Sequence, residues 1–161
     1  MLSVATIGYE GATVASFQEA LRQAKIDLLV DVRALASSRR PGFAKTRLAA
    51  NAKDAGAEYL HLRALGTPAD GRAAARAGRH DEMRRIFRQQ LATPAAQAEL
   101  ALLADLVRQG RRTCLLCFEA RPEHCHRSLV AAALSGIVPV QIVNLFPDDE
   151  QQSRAPDRSP T

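Results

Sequence analysis

The chain has 161 residues and a formal net charge of +5, with 47% hydrophobic residues but only 4% aromatic. That length suits one domain with a core of Leu, Val, Ile and Ala. No apolar run approaches the length of a membrane span, and Leu2–Ile7 is too short and lacks the basic leader of a signal peptide.

In chain order, Leu2–Ile7 reads as a first strand. The turn Gly8-Tyr9-Glu10-Gly11 follows, its glycines suited to positive φ or close backbone approach. Thr13 can cap a helix with Val14, Phe17, Ala20, Leu21 and Ala24 on one face. Leu28–Val32 is a second strand, and Asp31 and Arg33 point to the same side at its end. A loop containing Ser37, Ser38, Arg39, Arg40, Pro41 and Gly42 leads to a helix from Lys45 to Ala55, capped by Gly56. Glu58–Leu62 is a third strand with His61 near its end. The stretch Arg63–Arg79, rich in Gly, Ala and Arg, reads mostly as a basic loop or lid. Asp81–Leu91 is helical, and Thr93-Pro94 starts a further helix that stops at Gly110.

The chain is organised around Thr113–Ser128. Cys114–Phe118 is an apolar run suited to a strand buried on both faces. A helix with Leu129, Val130, Ala133 and Leu134 inward closes the stretch, and Gly136 caps it. Val138–Leu145 is a last strand, placed at a sheet edge by Pro139. From Phe146 the composition predicts a disordered tail, which leaves a domain over residues 1–145 and a tail over 146–161.

Strands alternating with helices predict a single-domain, three-layer Rossmann-like α/β fold, with a mainly parallel five-stranded sheet in the order 3-2-1-4-5. Ligands bind such sheets beyond the carboxyl ends of the strands, where strand order reverses. Here that point falls between the first and fourth strands. It gathers Gly8, Tyr9, Asp31, Arg33 and His61 with Cys117–Arg127.

Asp31 and Arg33 form either a structural ion pair or an acid–base and anion-binding pair. Cys117 and Glu119 alternate onto one strand face, while Cys114 points the opposite way into the core. Glu119, Cys125 and His126 are candidate catalytic groups, a cysteine beside a histidine and a helix start having a lowered pKa. Cys117, Cys125 and His126 also supply the soft ligands zinc prefers, although their spacing matches no common zinc module. Arg127 in the first helical turn is a candidate anion seat. Arg39, Arg40, Arg63, Arg72, Arg76 and Arg79 form a basic set that rims the crevice. The three cysteines suggest no disulfide framework, and a reducing cytoplasm is the expected compartment.

These residues resemble the family known as DUF488, bacterial and archaeal proteins of unassigned function. The likeness runs from Thr6 to about Leu145. It rests on Thr6–Gly11, on Leu29–Arg33 with Ser38–Phe43, on Tyr59–Leu62 with Leu65-Gly66, and on Cys117-x-Glu119 through Cys125-His126-Arg127. The chain departs from the family at Ala36, where a proline is common. The resemblance implies a Rossmann-like fold and brings no substrate, reaction or cofactor. Three functions fit the residues: an enzyme acting on a phosphate-bearing ligand such as a nucleotide or nucleic-acid end, a non-catalytic nucleotide or nucleic-acid binding module, and a small Cys/His metal-binding protein. An anionic partner and a divalent metal are the corresponding ligand expectations.

Overall fold

A computed structural model describes residues 2–147. The tail expected from residue 146 thus lies, from Asp148 onward, outside the described residues. The strands are β1 (Ser3–Gly8), β2 (Leu28–Asp31), β3 (Glu58–His61), β4 (Thr113–Cys117) and β5 (Gln141–Leu145). The helices are α1 (Val14–Gln23), α2 (Lys45–Asp54), α3 (Ala69–Arg76), α4 (His80–Leu91), α5 (Pro94–Arg108) and α6 (Arg127–Ser135). Short 3-10 turns lie at Arg63–Leu65 and Pro122–His124.

The caps read from the sequence explain several boundaries. Thr13 caps α1 by accepting from the Ser16 amide, with Ser16 answering onto the Thr13 amide. Thr93 caps α5, with Pro94 in its first turn. Gly56 and Gly110 adopt φ of 91° and 88° just past their helices, where a side chain would be strained.

All five strands run parallel, in the order β3-β2-β4-β1-β5. The expected order 3-2-1-4-5 is therefore corrected: the first and fourth strands exchange places. The fully buried strand β4 takes the centre, pairing with β1 on one side and β2 on the other. Such a position needs apolar side chains toward both faces, which Cys114, Leu115, Leu116 and Cys117 provide. The α1 crossover passes over β4 to reach β2. β5 lies at the edge, as Pro139 implied.

Alternation along the strands builds two cores. Ile7, Leu29, Cys114 and Leu116 pack with Phe17 and Leu21 of α1 and Leu48 and Ala52 of α2. Val30, Leu115 and Cys117 pack on the other face with Met83 and Phe87 of α4, Leu103 and Val107 of α5, and Val130 and Leu134 of α6. In α6 the buried positions are Arg127, Val130, Ala131 and Leu134; Leu129 and Ala133, expected inward, are only partly covered.

The stretch Arg63–Arg79 is not a loop. It holds a 3-10 turn and α3, with Leu65 and Ala74 fully buried. Small residues hide this helix from pattern reading. A Cβ on Gly71 would come within 3.1 Å of the Ile86 Cγ2 atom, so α3 lies close against α4 through small side chains instead of a large apolar stripe.

Candidate functional site

The central place of β4 sets the site. Gly8 pairs with Cys117, and the Tyr9 and Glu10 amides donate to the Cys117 and Phe118 carbonyls at 3.2 and 2.8 Å. The end of β1 is thereby locked against the turn leaving β4. Gly8 is required for that approach, since a Cβ there would lie 1.7 Å from the Glu119 carbonyl oxygen and 2.9 Å from Nη1 of Arg127. Gly8 thus packs the end of β1 against this turn and is not among the residues lining the cleft described below.

Arg127 is likewise engaged within the protein. It is fully buried, its Nη1 donating to the Glu119 carbonyl and its Nη2 to the Ala120 carbonyl. These turn carbonyls have no strand partner, and the guanidinium fork satisfies both. Arg127 therefore clamps the β4–α6 turn and does not line the cleft described below.

Asp31 and Arg33 form the structural ion pair. Arg33 donates Nε to Asp31 Oδ1 at 2.9 Å and Nη2 to Oδ2 at 2.7 Å, and its Nη1 reaches the Phe43 carbonyl and the Tyr9 hydroxyl. Tyr59 donates its hydroxyl to Asp31 Oδ2 at 2.5 Å. Asp31 is fully buried with both oxygens engaged, so it is a scaffold for Arg33 and not an acid or base facing a ligand. Burial alone would lower the Arg33 pKa, but the Asp31 hydrogen bond and charge hold it above the ordinary value. Burial and the Asp31 hydrogen bond raise Tyr59.

His61 is likewise structural: its Nε2 donates to the Arg33 carbonyl at 2.7 Å. Arg40 donates to the Ala12 carbonyl and lies over the Phe43 ring, and neither it nor Arg39 lines the cleft. The ligand-binding roles expected of His61, Arg39 and Arg40 therefore have no geometric support.

The remaining candidates converge. His126 Nε2 faces the Val32 carbonyl at 2.7 Å. A carbonyl only accepts, so Nε2 carries a hydrogen and donates it. The other ring nitrogen, Nδ1, faces the Sγ atoms of Cys117 at 3.6 Å and Cys125 at 3.8 Å. Phe87 packs beside the imidazole. All three residues are buried, and their ligand atoms lie within 4.8 Å of one another. Cys114 is buried on the opposite face, as expected.

Electrostatics separate the two thiols. Burial alone raises a thiol, but the Cys117 hydrogen bond, the His126 ring and the Arg127 charge hold Cys125 well below the usual range. The hydrogen bond to Cys125, followed by burial, holds Cys117 well above it. Glu119, half-buried on the same wall, is raised to about 7 by burial and by the negative charges of Cys125 and Glu10.

These groups line one cleft of about 290 Å³ at the carboxyl ends of the strands. Tyr9, Arg33, Cys117, Glu119, Cys125 and His126 line it from the strand ends and the turns after them; Thr67, Arg72, Arg76 and Met83 line it from α3, α4 and the turn before α3. Arg72 donates Nη1 to the Thr67 carbonyl at 2.8 Å, while Arg76 is exposed. The exposed side chains of Leu35 and Phe118 also line it. Arg72 and Arg76 belong to the basic set expected at this rim. Thr67 and Met83 had no sequence signal, because only the fold of α3 onto α4 brings them here. His124 lines the cleft as well and stacks on His80 with ring centroids 4.1 Å apart, a pairing the sequence did not suggest.

The fold and cleft define a three-layer α/β protein with a Cys/His cluster at the carboxyl ends of its strands. The family model described as "Domain of unknown function DUF488" matches residues 13–134. The chain belongs to that family. The matched span contains α1 through most of α6 and leaves out β1 and β5, so the Thr6–Gly11 motif falls outside it. No curated protein and no solved structure matches the chain. Among the described residues, no helix is long and apolar enough to cross a membrane.

Proposed function

We propose that the protein is an enzyme acting on a small anionic ligand, phosphate-bearing as in a nucleotide, held in the cleft with Cys117, Glu119, Cys125 and His126 as the reacting wall. The observation that carries this is the placement of these four groups on a cleft whose lining also includes Arg72 and Arg76. A module that only binds needs the arginines. It has no need of a buried low-pKa thiol and a histidine fixed by a backbone carbonyl.

The cleft volume lies at the small end of ligand sites, which run from roughly 300 to 1,000 Å³. That favours a mononucleotide or a strand end over a duplex. Leu35 and Phe118 offer apolar contact to a base, and Arg76 offers charge to a phosphate. Arg33 contributes positive potential from the strand ends, although most of its donors are engaged within the protein.

Calorimetry with inorganic phosphate, AMP and a short single-stranded oligonucleotide tests the reading. Arg76→Ala should weaken AMP binding about 10- to 150-fold, the equivalent of the ~1.5–3 kcal/mol carried by a charge-assisted hydrogen bond. Equal affinity in wild type and in the Arg72→Ala/Arg76→Ala protein would exclude this cleft as the anion site. Binding without turnover in a phosphate-release assay would leave a binding module.

A further inference from the structure

We infer that Cys117, Cys125 and His126 bind one soft divalent cation, zinc above all, as a three-ligand centre whose fourth position opens onto the cleft. Zinc takes Cys sulfur at about 2.3 Å and His nitrogen at about 2.0–2.1 Å, which at tetrahedral angles sets nitrogen and sulfur roughly 3.6 Å apart. His126 Nδ1 stands 3.6 Å from Cys117 Sγ and 3.8 Å from Cys125 Sγ. Both nitrogen–sulfur separations thus already match those that coordination imposes, and the two Sγ atoms lie within 4.8 Å of each other.

The orientation of His126 is the second observation. A ligating histidine normally donates its other ring N–H to a carboxylate or carbonyl, which fixes the tautomer and aims the free lone pair at the metal. The Val32 carbonyl does this at 2.7 Å. Since Val32 directly follows β2, the ligand is braced by the strand beside β4.

The ligand count is the third. Among the described residues, no fourth His, Cys or carboxylate joins the group. A structural zinc is closed by four protein ligands, whereas three with an open position is the catalytic arrangement. Because all three residues line the cleft, the open position takes water or the anion of a bound ligand. Both cysteines coordinate as thiolates, any thiol proton passing to solvent, and there is no redox change. The metal centre stands independently of the anion-binding proposal; only the identity of the anion in the fourth position rests on it.

The test uses the full, reduced chain. Metal content is measured as purified, and the chelator-treated protein is titrated with Co²⁺. The expected result is one metal per chain, with thiolate-to-cobalt charge transfer and d–d bands of tetrahedral intensity. Cys125→Ser should bind at least tenfold more weakly, while Cys114→Ala keeps wild-type stoichiometry. If Cys125→Ser fails to fold, the wild type decides: Zn²⁺ should protect Cys117 and Cys125 from N-ethylmaleimide, as read by peptide mass spectrometry. Weak octahedral cobalt spectra, or labelling unaffected by Zn²⁺, would overturn the centre. Inorganic phosphate or AMP should perturb the cobalt bands, and an unchanged spectrum would mean the fourth position is not open to them. Metal uptake that survives in Arg72→Ala/Arg76→Ala while AMP binding is absent even in wild type would sink only the anion reading. AMP binding without metal uptake would sink only this inference.

Discussion

Gly8→Ala is expected to be among the most damaging single-methyl changes in the protein. The added Cβ would stand 1.7 Å from the Glu119 carbonyl oxygen, and real Cβ contacts essentially never fall below 3.0 Å, so that carbonyl must retreat by at least 1.3 Å, the difference between the two. The obstacle is backbone, not a flexible side-chain tip. Retreat also strips the carbonyl from Arg127, leaving part of a fully buried guanidinium without its acceptor. Overpacking costs about 1–3 kcal/mol, and loss of a hydrogen bond to a charged group a further ~1.5–3 kcal/mol. A loss of roughly 2.5–6 kcal/mol corresponds to a Tm lower by about 5–24 °C for a chain of this size. Gly11→Ala is the control: Gly11 has φ of 79° but open space around its Cβ position, so only the local strain of about 1–2 kcal/mol applies. Urea denaturation followed by circular dichroism compares the two. A Gly8→Ala protein no less stable than Gly11→Ala would refute the close-approach argument.

Other expectations follow from the same geometry. Arg127→Ala should act on stability, by roughly 2–5 kcal/mol in urea melts, because it opens a cavity and orphans the Glu119 and Ala120 carbonyls; native-like stability with lost AMP binding would reverse that assignment. Asp31→Asn should cost about 3–5 kcal/mol by leaving Arg33 buried without its counter-charge, whereas Tyr59→Phe should cost only about 1 kcal/mol for one hydrogen bond; equal effects would contradict the ranking. Brief thiol labelling of the metal-free protein should modify Cys125 first, Cys117 next and Cys114 only on unfolding, since burial pushes the Cys114 thiol up and it faces the core away from the cleft. Early labelling of Cys114 would place the cysteines wrongly.

Much of the fold was legible because its signals are local. The Thr13 and Thr93 caps, the apolar run at Leu28–Val32 and the edge proline each state their role within a few residues. Strand order is not local. β1 and β4 are both apolar runs buried on both faces, and nothing in either says which one lies beside β2. The α3 helix was missed because Gly71 and Ala74 bury little surface each, so no stripe marks the packed face. At the site, sequence brought Cys117, Glu119, Cys125 and His126 to one place, and the cleft gathers them. It did not separate arginines that meet a ligand from arginines that hold the backbone. Arg127 and Arg33 spend their donors on the Glu119, Ala120 and Phe43 carbonyls and the Asp31 carboxylate, acceptors whose positions exist only once the chain has folded.

The exchange of β1 and β4 also bears on synthesis at the ribosome. β1 emerges first, yet its two partners are β4 and β5, both in the last third of the chain. Until Thr113–Cys117 has been made, β1 has no strand beside it, and the α1 face has lost Cys114 and Leu116 from its core. A nascent chain ending before β4 can pair only β2 with β3, two four-residue strands. Short two-stranded units are marginal in water, so productive folding must wait for the segment that also carries Cys117. The protein therefore gains its sheet and its cleft in one late event, and a stalled product lacking β4 should be a protease substrate, not a half-built domain.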